Sequence, residues 1–187
     1  MFLIKIIVLI FFLFLFNFTI SFNSSCYCNS SLCPKYNINY VTMGNGNAKL
    51  NYTYMNHNNY NVVINVSGII NVNSLDKGSG TTLCVQKYAR SLDDNKENCD
   101  AGHILAKRLG GYGNLPVNIF PQNSTINRGI YAQFEKKIYK YIKKKKLFAK
   151  LSWKFYYKND KKTMPYLVNY SVFFEDGFNL SSMFDNK

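Results

Sequence analysis

Asp100-Ala101-Gly102-His103, then Asn118-Ile119-Phe120-Pro121-Gln122, then Ile126-Asn127-Arg128-Gly129 is the stretch whose reading decides the fold. It sets one of the two histidines of the chain beside the turn Gly110-Gly111-Tyr112-Gly113, and a helix follows directly. Ile126, Ile130, Phe134, Ile138 and Ile142 recur every four residues, an apolar stripe expected to face a core. Asn127, Tyr131 and Glu135 recur at the same spacing on an adjoining line, which helical pattern alone would place at a solvent edge. Ser124 or Thr125 is the expected N-cap. Lys143, Lys144, Lys145 and Lys146 close the helix, where positive charge suits the negative end of its dipole.

Outward from this stretch, residues 117–120 read as a brief strand and residues 61–72 as one or two strands bending at Gly68. Residues 81–88 read as another short strand, and residues 90–100 as a charged surface loop. Downstream, residues 147–157 and 165–174 read as two strands joined by a charged turn, with apolar anchors in 178–184. Residues 41–54 alternate partially around the turn signal Asn45-Gly46, which predicts a weak hairpin. His57 lies in an asparagine-rich segment and is expected in an exposed loop. Strands, a loop-rich motif, one long helix and a hairpin make an α+β layout, an antiparallel sheet with one long helix.

The chain has 187 residues, room for one domain with an extension, and its apolar fraction of 47% excludes wholesale disorder. Its formal net charge is +13, yet only Arg90, Arg108 and Arg128 are arginines. The lysine and asparagine bias matches an AT-rich coding sequence, so the lysine count by itself does not define a nucleic-acid site. A chain this basic is still drawn to polyanions. Residues 1–21 read as a cleaved secretory signal: a basic start, an apolar run from Ile6 to Phe16, and small residues near Ser21. An uncleaved anchor is the alternative. Cleavage removes Lys5 and no acid, so the mature chain stays strongly basic.

Five cysteines accord with an oxidising compartment. Cys26, Cys28 and Cys33 cluster after the signal without a fourth ligand at zinc spacing, and Cys84 with Cys99 would close a loop before the motif. Glycan-acceptor triplets begin at Asn23, Asn29, Asn51, Asn65, Asn123, Asn169 and Asn179, and the one at Asn123 is expected to stay unmodified. The organisation expected is a signal at 1–21, a Cys/Asn-rich extension with the first strands at 22–78, and the catalytic core at 79–187.

A neutral imidazole at a strand end can take a proton from water. An Asn and a Glu on one helix edge can hold a hard divalent cation, mostly through waters. Base, cation and positive surroundings together describe phosphodiester hydrolysis.

The ordered set Asp100-x-Gly102-His103, Asn118-x-x-Pro121-Gln122, Asn127 and Glu135 resembles the DNA/RNA non-specific endonucleases, which are His-Me finger, or ββα-metal, nucleases. Gln122 to Asn127 is five residues and Asn127 to Glu135 is eight, as in that family. The resemblance runs from about residue 90 to 184 and is strongest over 100–135. It implies His103 as general base, Asn127 as direct ligand of Mg²⁺ (or another hard cation such as Mn²⁺), and Glu135 as holder of a metal-bound water. It implies Asn118 and Gln122 as supports of the site that position substrate. The substrates implied are DNA and RNA, held through their backbones and cut to leave 5′-phosphates.

Ala101 stands where the family pattern has arginine. Arg90, Lys107, Arg108 and Arg128 are the candidate substitutes for contact with substrate. The function expected is a secreted, metal-dependent endonuclease without sequence specificity, acting outside the cell or in a secretory or endolysosomal lumen. The alternatives are a nucleic-acid-binding protein of the same fold that does not cut, and a basic surface glycoprotein.

Overall fold

The computed structural model describes residues 37–187, with side chains from residue 41. The expected signal, the three N-terminal cysteines, and Asn23 and Asn29 lie outside the described residues.

Alternation builds a six-stranded antiparallel sheet in the order β1 (Asn37–Met43), β2 (Ala48–His57), β3 (Tyr60–Ile70), β6 (Ala149–Tyr156), β7 (Leu167–Phe174) and β8 (Asn179–Asp185). In β6 every second residue is buried, from Ala149 through Leu151 and Trp153 to Phe155. This period-two pattern is the mark of a sheet with one packed face and one wet face. The residues 41–54 do form a hairpin, turning at Gly44–Gly46. The sheet runs across the boundary expected at residue 78, because β3 pairs directly with β6.

Between β3 and β6 the chain leaves the sheet and makes a smaller unit. Helix α1 (Leu83–Ser91) leads into an antiparallel hairpin of β4 (Cys99–His103) and β5 (Ile119–Asn123), and helix α2 (Ala132–Lys145) follows. Hairpin and helix are the ββα arrangement that the family resemblance implied. Helix α2 buries Phe134, Ile138 and Ile142. Phe134 meets Tyr170 of β7 edge-to-face at 5.1 Å between centroids. Trp153 Nε1 donates to the Tyr131 hydroxyl at 3.2 Å, and Trp153 stacks on Tyr170 at 4.4 Å. Each such fully buried large side chain contributes about 1.5–3 kcal/mol.

Several expectations are corrected. Residues 81–88 are not a strand: Thr82 accepts from Val85 N and starts α1, whose Val85 and Ala89 sit one turn apart and are buried. Short β-branched and aromatic runs carry no period long enough to separate the two readings. The N-cap before α2 is Asn123, which accepts from Thr125 N and Ile126 N, rather than Ser124 or Thr125.

Ile130 does not face the core; it is 52% exposed, while Tyr131 on the supposed solvent edge is buried. The cause is a π-helical segment, Asn127–Tyr131, with Gly129 at φ −100°, ψ −110°. The wider turn breaks the four-residue rhythm and rotates Ile130 outward. His57 is buried rather than in an exposed loop: Nδ1 lies 2.8 Å from the Lys162 carbonyl and the ring meets Tyr157 edge-on. Cys99 is a free thiol, so the Cys84–Cys99 closure does not form.

Candidate active site

The β4–β5 hairpin presents Asp100 and His103 from one strand, and the π-helical segment presents Asn127 and Arg128 against them. Asp100 joins the two. Its carboxylate accepts from Arg128 Nε at 2.9 Å and Nη2 at 2.7 Å, and from Asn127 Nδ2 at 3.0 Å. The Asn127 amide is thereby fixed with its nitrogen towards Asp100, and its Oδ1 is left without a protein partner among the described residues. The Arg128 guanidinium is committed to a bidentate pair with Asp100.

His103 Nε2 lies 3.1 Å from the Ser79 carbonyl. A carbonyl can only accept, so Nε2 carries the proton and the lone pair of the neutral ring is on Nδ1. Burial draws the His103 imidazole below its ordinary range; the Ser79 carbonyl opposes this and the Lys107 charge adds to it. The ring is therefore neutral, and able to accept a proton, at neutral pH. Gly113 is required behind it: a Cβ there would come within 2.6 Å of His103 Nε2 and 2.5 Å of the Gly80 backbone.

His103, Asn127, Asp100, Arg128, Ala101 and Arg90 line one cleft of about 460 Å³, closed on its far side by Gly80, Thr81 and Gln86. Of the residues singled out from sequence, this cleft unites His103, Asn127, Arg128 and Arg90. Lys107 and Arg108 are exposed on the short turn after His103, outside the cleft. The Arg108 guanidinium lies over the Tyr139 ring at 5.8 Å. Glu135 sits two turns along the helix from Asn127. The residue is half-buried, but its carboxyl is enclosed near Tyr131 and Tyr170, and this burial pushes it up to about 8 against the opposing charge of Arg108.

Asn118 and Gln122 stand behind the cleft. Asn118 is fully buried: Oδ1 accepts from Leu105 N at 2.8 Å and Nδ2 donates to Leu105 O at 3.0 Å and Tyr112 O at 3.3 Å. Its backbone carbonyl accepts from Ile104 N. It pins the loop that leaves His103. Gln122 is 1% exposed and folds over Gly102, where any Cβ would fall 2.2 Å from Oε1. Neither side chain is placed to touch a substrate.

Asp100 stands in the motif without an expected role, and the fold ties it to Asn127 and Arg128. Its place in the motif was visible, and its grip on Asn127 needed the fold.

The donor set suits a hard cation held by few protein ligands. Asn127 offers one oriented amide oxygen, and Glu135 is the carboxylate further along the same helix. No group of three or more His, Cys, Asp or Glu that could hold a metal occurs among the described residues. A cation here would keep most of its waters, the habit of Mg²⁺.

Comparison with known proteins defines the class. Residues 37–170 match the family model described as DNA/RNA non-specific endonuclease. The chain belongs to that family of phosphodiester hydrolases, and it has the family's mixed α+β fold. A curated relative, the probable deoxyribonuclease RhsA of Dickeya dadantii, is 38% identical over 111 residues, 59% of this chain. The match spans only 7% of that much longer protein.

Among solved structures, NucA from Streptococcus agalactiae with magnesium bound aligns at a TM-score of 0.52 and 13% identity. The alignment covers 80% of this chain and 78% of the other. A structure titled extracellular endonuclease aligns at 0.55 and 10% identity over 81% of this chain and 89% of that one. At these identities the structural matches speak for the fold alone.

Proposed function

We propose that the chain is a secreted, divalent-metal-dependent endonuclease that hydrolyses phosphodiester bonds of DNA and RNA without sequence preference. The observation that carries this is the fixed His103 ring, whose Nδ1 lone pair shares a cleft with the oriented Asn127 amide oxygen. His103 Nδ1 removes a proton from water as the water oxygen attacks phosphorus, and the bond from phosphorus to the leaving 3′-oxygen breaks. Asn127 Oδ1 and, through water, Glu135 would hold Mg²⁺. Bound there, the cation neutralises charge on the phosphate and eases departure of the leaving oxygen. Asp100 holds Asn127 in register for that ligation. The +13 charge favours approach of a polyanion. The deoxyribonuclease relative points the same way.

Secretion is supported by the expected signal at 1–21. No helix among the described residues is long and apolar enough to cross a membrane. Asn51, Asn65, Asn169 and Asn179 with their partner hydroxyls lie along β2, β3, β7 and β8, and glycans there would stand on the outer face of the sheet. Asn123 stays bare, because its amide donates to the Lys187 carbonyl at 2.6 Å and accepts at the helix start.

The test is cleavage of supercoiled plasmid and of RNA by residues 22–187 with Mg²⁺ or with chelator. Cutting in Mg²⁺ alone is expected, with His103→Ala inactive but folded. Retention of nucleic acid without any cutting would replace this reading by the non-catalytic one. Activity should fall on acidification only below about pH 6.5, the unperturbed histidine value, because the ring must be neutral and burial lowers its proton affinity.

A further inference from the structure

Ala101 leaves the cleft without the arginine that the motif elsewhere carries on β4. Cys99, Ala101 and His103 alternate along one face of β4. Ala101 packs there against Val85 and Ala89 of α1, together with Ile119. Alanine at 101 offers α1 a small apolar surface to rest on. The seated helix brings its own cation. Gln86 and Arg90, one turn apart, both line the cleft that holds His103 and Asn127.

The other cations are placed for different work. Arg128 is bound to Asp100 by two hydrogen bonds. Arg108 lies over Tyr139, and Lys107 does not line the cleft. Gln86 is tied to the Thr81 hydroxyl at 3.2 Å. Arg90 has no ion-pair partner among the described residues, and its guanidinium remains available in the cleft.

We propose that Arg90 is the phosphate-binding guanidinium of this enzyme, donating to a non-bridging oxygen of the scissile phosphate and so replacing from α1 the arginine missing from β4. It takes no part in proton transfer, which stays with His103. A planar guanidinium meets two phosphate oxygens side by side, which a lysine cannot do. Its contact strengthens as negative charge builds on those oxygens, so its loss falls mainly on kcat.

This inference rests on the nuclease reading, and the experiment separates the two. Plasmid and single-stranded oligonucleotide cleavage in Mg²⁺ is measured for the wild type, Arg90→Ala, Arg90→Lys and Lys87→Ala, an exposed position on the same helix. Arg90→Ala should lower kcat by about a hundredfold with little change in KM. Arg90→Lys should fall between, and Lys87→Ala should match the wild type. Guanidinium ion, well below denaturing concentration, should restore part of the activity of Arg90→Ala and none of that of His103→Ala.

A wild type that does not cut overturns the nuclease reading and this inference with it. A cutting wild type with Arg90→Ala within threefold of it overturns this inference alone. So does a loss in Arg90→Ala that guanidinium does not rescue and that Arg90→Lys shares in full, since that pattern marks a structural arginine.

Discussion

Replacing Asn118 with alanine separates a catalytic role from a structural one. The resemblance implied that this residue supports the site and positions substrate, whereas the fold buries it completely and gives both ends of its amide to the loop after His103. Removing the amide strips the Leu105 N–H and C=O of their partners in a buried site. Each orphaned buried group costs about 1–3 kcal/mol. The longer contacts, Tyr112 O at 3.3 Å and Tyr52 Oη at 3.5 Å, add less. A loss of about 3 kcal/mol is expected, which for a chain of this size lowers the melting temperature by roughly 6–12 °C.

Thermal unfolding followed by circular dichroism reads the first quantity, and cleavage at a temperature where the variant remains folded reads the second. Cold-assayed Asn118→Ala should keep substantial activity, because His103 is still held by the Ser79 carbonyl. A variant that melts with the wild type yet cuts nothing would refute this reasoning and return Asn118 to the substrate's side of the cleft.

Asp100→Ala frees the Asn127 amide to rotate, and loss of such a supporting contact weakens metal affinity by about 10–100-fold. The Mg²⁺ concentration for half-maximal cutting should rise accordingly, with maximal rate recovered in excess Mg²⁺; an unchanged half-saturation point would deny Asp100 this role. Glu135 makes metal uptake pH-dependent. With its carboxyl pushed up to about 8, the metal-free protein holds a proton there at neutral pH that a bound cation must expel. Calorimetry in buffers of different ionisation enthalpy should show proton release near pH 7 that disappears above about 8, and its absence would show the carboxyl already ionised. The sign for stability is the reverse. A folded-state value raised above the ordinary carboxyl range favours folding below about 4.5, and that contribution is lost as pH rises towards 8. The metal-free protein should therefore melt lower at pH 8 than at pH 5, a difference that Mg²⁺ diminishes.

What was legible in the sequence was periodic or ordered. The strands β6 and β7 showed alternation unmasked by function, and the ordered motif carried the family resemblance that implied the ββα unit. What was hidden had no period. Val85 and Ala89 are too few to announce a helix, and the π-helical turn at Gly129 breaks the rule by which Ile130 was assigned. Burial of His57 depends on a partner far away in sequence, the Lys162 carbonyl, and that of Asn118 and Gln122 on how the β4–β5 hairpin folds over them. The arginine question turned on packing: Ala101 reads as a gap until α1 is seen lying against it.

The position of the site between β3 and β6 also has a kinetic side. These adjacent strands are separated in sequence by the whole of α1, the β4–β5 hairpin and α2, so their pairing closes a long loop. Closure of so distant a contact is slow, and it waits for β6 to be synthesised. The packing of α2 on Trp153 and Tyr170 waits for β6 and β7 as well. Cutting power therefore waits until β6 and β7 have been made, and a product stalled before them would carry every residue of the motif without the means to hold them in place.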